Sequence, residues 1–310
     1  MKKYLWGILY GLFLTAFTVY VLMDTFVISR VYTTVPTNNN GNSTVIENNN
    51  SGTDGTDLEG PQGGSSPVVT ANSYTDDHIS IILTEYREND TTIYVADVQL
   101  SSANYLKTAF ARSAYGKNVT EKTSEIAKDN NAILAINGDY YGAQENGYVL
   151  RNGVLYRNSA VSGREDLVIF KDGSFEIVAE KDVSAESLLN AGAQQILSFG
   201  PALLIDSQIS VTEDEEVGKA KSSNPRTAIG IIDELHYVLV VSDGRTDESE
   251  GLTLYELAEF MQALGAKIAY NLDGGGSSTM VFNGVVINNP TTSGKTIKER
   301  SVSDVVYIGY

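Results

Sequence analysis

Ala269-Tyr270-Asn271-Leu272-Asp273-Gly274-Gly275-Gly276-Ser277-Ser278-Thr279-Met280 carries the organisation of this chain in twelve residues. An apolar strand, Lys267 to Asn271, runs into a glycine-serine turn, and a second strand, Thr279 to Phe282, follows at once. Side chains two apart on a strand share a face, so Asn271 and Asp273 are expected to point the same way. Glycines without Cβ let successive N–H groups converge on one point, and Ser277 and Ser278 add hydroxyl donors. The same pattern occurs earlier, where Ala135-Ile136 leads into Asn137-Gly138-Asp139-Tyr140-Tyr141-Gly142. Two strand ends of the form Asn-x-Asp suggest one polar site assembled from both.

Outward from these segments the chain reads as strand after strand. Short runs rich in Ile, Val and Tyr cover Ile79 to Tyr86, Thr92 to Leu100, Ala132 to Ile136, Leu167 to Phe170 and Phe175 to Val178. Ala202 to Ile205, Thr227 to Ile232, His236 to Val241 and Asp304 to Ile308 continue the series, with polar or glycine turns between them. Lys171-Asp172-Gly173-Ser174 is a hairpin turn of the Asp-Gly kind. Helices are few: Thr123 to Asn130, and Thr253 to Leu264, where Leu254, Leu257, Ala258, Met261 and Leu264 recur at helical spacing. Thr253 and Glu256 form a capping box and Gly265 is the stop. The expected class is α+β, a single domain with a dominant mixed β-sheet and few helices.

The segment before that domain is of another kind. Tyr4 to Met23 carries no charge, with Lys2 and Lys3 before it and Asp24 after it. Twenty residues in a helix span roughly the 30 Å of a bilayer core. The two lysines place the N-terminus inside, so that the remainder faces outward. A cleaved signal peptide, which would have a shorter apolar region and an A-x-A-like site, would export the domain equally. From Val31 to Thr75 the composition turns to Asn, Gly, Ser and Thr. Such a stretch buries too little apolar surface to order itself, and as a coil it would reach on the order of 35 to 40 Å. The organisation expected is therefore 1–30 as cytoplasmic stub and transmembrane anchor, 31–75 as disordered linker, and 76–310 as the domain. The localisation that follows is a single-pass protein of the cell membrane with its C-terminal domain extracellular.

Charge and cysteine content exclude several functions. A net charge of -17 repels nucleic acid, and an anionic ligand would bind only where arginines converge locally. There is no cysteine, so disulfides, thiolate metal sites and Cys nucleophiles are absent, and the two histidines do not supply a His-rich zinc site. No loop has EF-hand spacing, and neither metal nor cofactor is assigned. An exported domain without disulfides points to a bacterial surface.

The candidate site residues are the polar ends of strands. Asp273, Asp139 and Asp243, the last in Val241-Ser242-Asp243-Gly244-Arg245, are the candidate catalytic carboxylates. Arg226, in Asn224-Pro225-Arg226-Thr227, and Arg245 offer permanently charged forks for a phosphodiester. Asn137 and Asn271 suit sugar hydroxyls, and Tyr140 suits a sugar face. Gly274, Gly275, Gly276, Ser277 and Ser278 would form an anion nest. Arg300, before the final strand, is read either as a substrate contact or, with Asp304, as a structural ion pair behind the pocket.

Taken in order, Asn137-Gly138-Asp139-Tyr140-Tyr141, Asn224-Pro225-Arg226-Thr227-Ala228-Ile229-Gly230, Val241-Ser242-Asp243-Gly244-Arg245, Gly251-Leu252-Thr253-Leu254, Asn271 to Met280 and Arg300-Ser301-Val302-Ser303-Asp304 resemble the phosphodiester glycosidase domain, also called the uncovering-enzyme domain. The resemblance spans roughly residues 80–310. It implies a glycosidase that frees a sugar, N-acetylglucosamine-like, from a sugar 1-phosphodiester. Without cysteine-rich regions and with an N-terminal apolar segment, the chain is similar to bacterial members, for which a cell-wall or exopolysaccharide glycan is the expected substrate. Two other activities fit the same residues: a non-catalytic wall-glycan binding module, and a membrane-anchored phosphotransferase that attaches glycopolymers and needs Mg²⁺.

Overall fold

The computed structural model describes residues 2–35, 66–214 and 223–310. A nine-stranded sheet dominates it, in the order Gln208–Ile209, Ala202–Ile205, Ile268–Asn271, Arg226–Asp233, His236–Ser242, Thr91–Leu100, Ile79–Glu88, Ser73–Thr75, Val68–Val69. A five-stranded sheet runs Val285–Val286, Met280–Phe282, Leu134–Asn137, Asp304–Ile308, Leu106–Phe110. A second runs Val154–Ser159, Gly147–Arg151, Ala193–Leu197, Glu165–Phe170, Phe175–Ala179. The class is α+β with few helices. Where the sequence suggested a mixed sheet, every strand pairing among the described residues is antiparallel, as in the pairs flanking Arg226–Asp233 and Asp304–Ile308. Short hairpins explain much of this, because a parallel neighbour needs a crossover of a dozen residues or more.

The central strands read as continuous apolar runs because both of their faces are covered. In Tyr237-Val238-Leu239-Val240-Val241, the odd-numbered residues join the core shared by the sheets. Val238 and Val240 join the core beneath the helix Leu254–Ala263. That helix presents Leu254, Leu257, Ala258 and Met261, all fully buried, at the expected spacing. Its capping box is formed: the Thr253 N–H donates to the Glu256 carboxylate at 2.8 Å, and the Glu256 N–H to the Thr253 hydroxyl at 3.1 Å. Gly265 follows at φ 88°, a conformation that favours glycine as a helix stop. The Asp172-Gly173 turn also forms, with the Asp172 carboxylate accepting from the Ser174 N–H at 2.9 Å.

The N-terminal helix is Lys2–Phe26, and its Trp6–Phe26 portion is long and apolar enough to cross a membrane, with none of it buried. Most of the segment read as linker, 36–65, lies outside the described residues. Its two ends are not coil. Arg30–Thr34 pairs with Ala114–Lys117, and Val68–Val69 and Ser73–Thr75 extend the edge of the large sheet. Main-chain pairing is indifferent to polar composition, and Val35 and Tyr74 supply the apolar contacts that composition concealed.

Tyr270 ties the large sheet to the five-stranded sheet that contains Glu165–Phe170. Fully buried, its hydroxyl donates to the Glu165 carbonyl at 2.7 Å and accepts from the Phe199 N–H at 2.9 Å. Tyr270→Phe leaves both backbone groups unpaired, which is expected to cost about 1 to 3 kcal/mol. Urea unfolding should show a lower midpoint with an unchanged slope.

Candidate active site

Strand ends converge on a cavity of about 290 Å³ lined by Tyr140, Phe199, Asn224, Arg226, Arg245, Leu272, Asp273, Gly274, Gly275 and Arg300. Asp273 is the only carboxylate among these. Its Oδ2 accepts from Arg300 Nη2 at 3.0 Å and from the Ser277 hydroxyl. Ser277 in turn accepts from Arg300 Nε at 2.9 Å. Burial raises the Asp273 pKa above the ordinary carboxylate value, against the opposing pull of Arg300, Ser277 and the Gly274 N–H. Arg245 is fixed at the rim, Nε and Nη2 both donating to Asn224 Oδ1 at 3.1 and 3.0 Å, and Nη1 to the Thr292 carbonyl at 2.7 Å. Burial, and then the charge of Arg300, lowers its pKa. Arg226 is almost fully buried and gives Nε to the Leu252 carbonyl at 2.8 Å.

The glycines are there for close approach. A Cβ on Gly274 would come within 2.9 Å of the Pro225 carbonyl oxygen, and one on Gly276 within 2.3 Å of Thr292 Oγ1. Gly275 sits at φ 61°, where a Cβ would meet Arg245 Nη2 at 2.8 Å. The anion nest expected from this run is largely spent on the turn itself. The Gly275 N–H donates to the Pro225 carbonyl, that of Ser277 to Gly274 and that of Ser278 to Gly275. The Ser278 and Thr279 hydroxyls are buried without a hydrogen-bond partner.

Asn137 and Asn271 do not line the cavity. Asn137 Oδ1 accepts from Thr227 Oγ1 at 2.8 Å and from the Thr279 N–H at 3.2 Å, while its Nδ2 donates to the Asp273 carbonyl at 2.5 Å. Its bonds are taken up in holding the Asp273 turn against two strands. Asn271 Nδ2 donates to the Gly200 carbonyl at 2.7 Å, and its Oδ1 is buried without a partner. Asp243 also faces inward. It accepts from Asn288 Nδ2, the Asn289 N–H and Asn289 Nδ2 at 3.2, 2.8 and 3.0 Å, and Asn288 accepts from the Met280 N–H at 2.9 Å.

Asp139 is fully buried behind the cavity. Its Oδ2 lies 2.8 Å from Arg151 Nη2 and accepts from the Ser198 N–H at 2.7 Å, and its Oδ1 accepts from the Tyr141 N–H at 3.1 Å. The same guanidinium reaches Asp304 Oδ2 through Nε and Nη2, at 3.1 and 2.8 Å. Asp304 is therefore not the partner of Arg300, as the alternative reading held; Arg300 serves Asp273 and Arg151 serves Asp304. Burial, then the neighbouring Asp139 charge, pushes Asp304 up to about 7. The Asn-x-Asp rule places Asn137 and Asp139 on one face only while the strand lasts, and Leu134–Asn137 ends before Asp139. Tyr140, by contrast, projects at φ 66° with 44% of its surface exposed, at the mouth of the cavity.

Arg151, Phe199 and Asn224 have no place among the residues selected from sequence. A lone arginine closing the apolar run Tyr148-Val149-Leu150 was the available sign for Arg151, since an unpaired charge is rarely buried. Phe199 and Asn224 carried none.

A family model described as phosphodiester glycosidase matches residues 130–309. The chain belongs to the phosphodiester glycosidase family. This family member is 31% identical over 205 residues to an uncharacterized SPbeta prophage-derived protein of Bacillus subtilis, covering 64% of this chain and 31% of that one. It is 30% identical to the mouse N-acetylglucosamine-1-phosphodiester alpha-N-acetylglucosaminidase, over 51% of this chain and 33% of the mouse protein. The chain thus spans about a third of the length of the curated relatives it matches. The fold is similar to that of the catalytic domain of the zebrafish N-acetylglucosamine-1-phosphodiester alpha-N-acetylglucosaminidase, solved auto-inhibited by its pro-peptide. The TM-score is 0.59 at 23% identity, over 75% of this chain and 83% of the zebrafish one.

A second acidic group of this family member adjoins the Arg151 network. Asp166 is fully buried, neither of its carboxyl oxygens has a hydrogen-bond partner of good geometry, and burial followed by the charge of Glu180 raises its pKa to about 8. The folded state therefore holds a proton that the unfolded chain, with Asp near 3.8, releases earlier. Stability is expected to be greatest at acidic pH and to decline as pH rises from about 4 through 8, with Asp304 acting in the same sense. Asp166→Asn should flatten the decline in urea midpoints measured across that range.

Proposed function

We propose that the chain is a membrane-anchored, extracytoplasmic glycosidase that cleaves an N-acetylglucosamine-like sugar from a sugar 1-phosphodiester in a cell-wall or exopolysaccharide glycan. The observation that supports this best is the juxtaposition of Asp273, a largely buried carboxyl with a raised pKa, with the guanidinium groups of Arg226, Arg245 and Arg300 around one cavity. In a chain of net charge -17, these cations make the cavity a local exception suited to a phosphodiester. The membrane part of the proposal draws on the N-terminal helix and the outward orientation on its flanking lysines.

Hydrolysis would break the bond between the sugar C1 and the phosphate oxygen. The phosphate leaves as a monoester anion that the arginines stabilise, so the demand for a general acid is small. Water attacks C1 as oxocarbenium character develops, and its proton passes to the Asp273 carboxylate, a stronger base for its raised pKa. Asp139, through Arg151 and Asp304, and Asp243, through Asn288 and Asn289, act as positioning residues. Tyr140 and Phe199 offer aromatic faces at the mouth, fit for a sugar ring.

The test is release of free sugar from UDP-N-acetylglucosamine and from a synthetic sugar 1-phosphodiester by the full chain in detergent. Activity should rise with pH through the raised Asp273 pKa, and Asp273→Asn should lose about 10² to 10⁴ of kcat with an unchanged fold. Arg245→Ala should lower kcat and kcat/KM together, by roughly ten- to a hundredfold, since its guanidinium meets the charge that develops on the leaving phosphate. Wall-glycan binding without sugar release, unaffected by Asp273→Asn, would replace this reading with that of a binding module.

A further inference from the structure

Three residues, Val27 to Ser29, separate the end of the apolar helix at Phe26 from the strand Arg30–Thr34. It pairs antiparallel with Ala114–Lys117, from Arg30 opposite Lys117 to Thr34 opposite Ala114. The Val35 N–H extends the ladder to the Ser113 carbonyl at 2.7 Å. Beyond the ladder, Val35 packs against the cluster of Phe110, Tyr115, Tyr141 and Val149, and Tyr32 lies over Tyr115 with ring centroids 5.8 Å apart. The domain also caps the helix. Asn118 Nδ2 donates to the carbonyls of Thr25 and Ile28 at 3.1 and 3.2 Å, and the Ser29 hydroxyl donates to the Asn118 carbonyl at 2.7 Å. Carbonyls at a helix end otherwise lack partners, so this contact answers a need of the helix itself.

Gly116 is fitted to the same contact. A Cβ there would fall 2.1 Å from the Arg30 carbonyl oxygen and 2.8 Å from Val119, yet Gly116 is not in the left-handed region. Its glycine serves close approach rather than an unusual turn.

We propose that Arg30–Thr34 is a docking strand: the edge Ala114–Lys117 receives the chain's own juxtamembrane segment and fixes the domain against the bilayer. This rests on the reading of the helix as a membrane anchor. From Phe26 to Arg30 the chain takes four residue steps and spans at most about 14 Å, so the Lys117–Asn118 end of the edge, opposite Arg30, stays within that distance of the helix end. The domain then works at a set height and orientation, and its substrates are glycan phosphodiesters within about one domain diameter, roughly 45 Å, of the membrane surface.

The absence of cysteine makes the test clean. The full chain is prepared in membranes with Thr34→Cys and Ala114→Cys, facing positions in the ladder, and with a protease site inserted in 36–65. After mild oxidation, cleavage and a high-salt wash, the domain should remain in the pellet and leave it only on reduction. A cut domain that leaves the pellet before reduction, despite oxidation, overturns the docking. Thr33→Pro in the same background blocks the ladder from outside the domain and should lower the retained fraction at least about tenfold, with the thermal midpoint of the cut domain unchanged. Undiminished retention would show chance collision of the two cysteines and likewise overturn the proposal. An uncut chain that washes off the membrane overturns the anchor itself, and is distinguished because no cleavage is needed to see it.

Discussion

One guanidinium between two buried carboxylates holds the candidate site together. Arg151 closes a strand of one five-stranded sheet, Asp304 opens a strand of the other, and Asp139 lies just beyond the adjoining strand. Three charges out of water are costly, and removing one partner of such a group typically costs about 3 to 5 kcal/mol because another is left uncompensated. The network is tolerable because main-chain donors complete it: the N–H groups of Asp139, Tyr141 and Ser198 all reach its carboxylates. The Gly138 N–H donates to the Asp304 carbonyl at 2.9 Å, and a Cβ on Gly138 would sit 2.2 Å from Asp304 Oδ1.

From that junction the constraint passes to Asp273. Its N–H donates to the Gly138 carbonyl at 3.2 Å and its carbonyl accepts from Asn137. The carboxyl that faces the cavity is therefore placed by Asn137 and Gly138, which do not themselves line it. On the far side, Asp243 fixes Asn288 and Asn289, and Asn288 donates to the Ser278 carbonyl at 3.0 Å. The glycine run is gripped from both ends. The cavity's more exposed side chains include Tyr140 and Arg300, the latter held by Asp273 and Ser277.

The strands were legible where apolar runs were long, as in His236–Ser242, and the capped helix was legible nearly to the residue. Gly147–Arg151 and Ala193–Leu197 were less so, since their buried polar members, Arg151 and Gln195, break the run. Of the site, the glycine turn and the arginines were visible as residue types in an acidic chain, while the split of the carboxylates between cavity and interior was not. Nothing in Asn137-Gly138-Asp139 says that the strand stops at Asn137, and alternation predicts direction only within a strand.

By itself, then, the order of residues determined the strand-rich class, the apolar N-terminal segment, the capping box and the family motifs, because each depends on local periodicity or on a short run of side chains. Tertiary structure alone decided which carboxyl meets the cavity, which arginine serves which aspartate, and that Arg30–Thr34 pairs with the domain. Those choices depend on burial and on partners far apart in the chain, such as Arg151 and Asp304, 153 residues apart. A buried charge finds its partner through the packing of whole sheets, and no spacing within a strand records it.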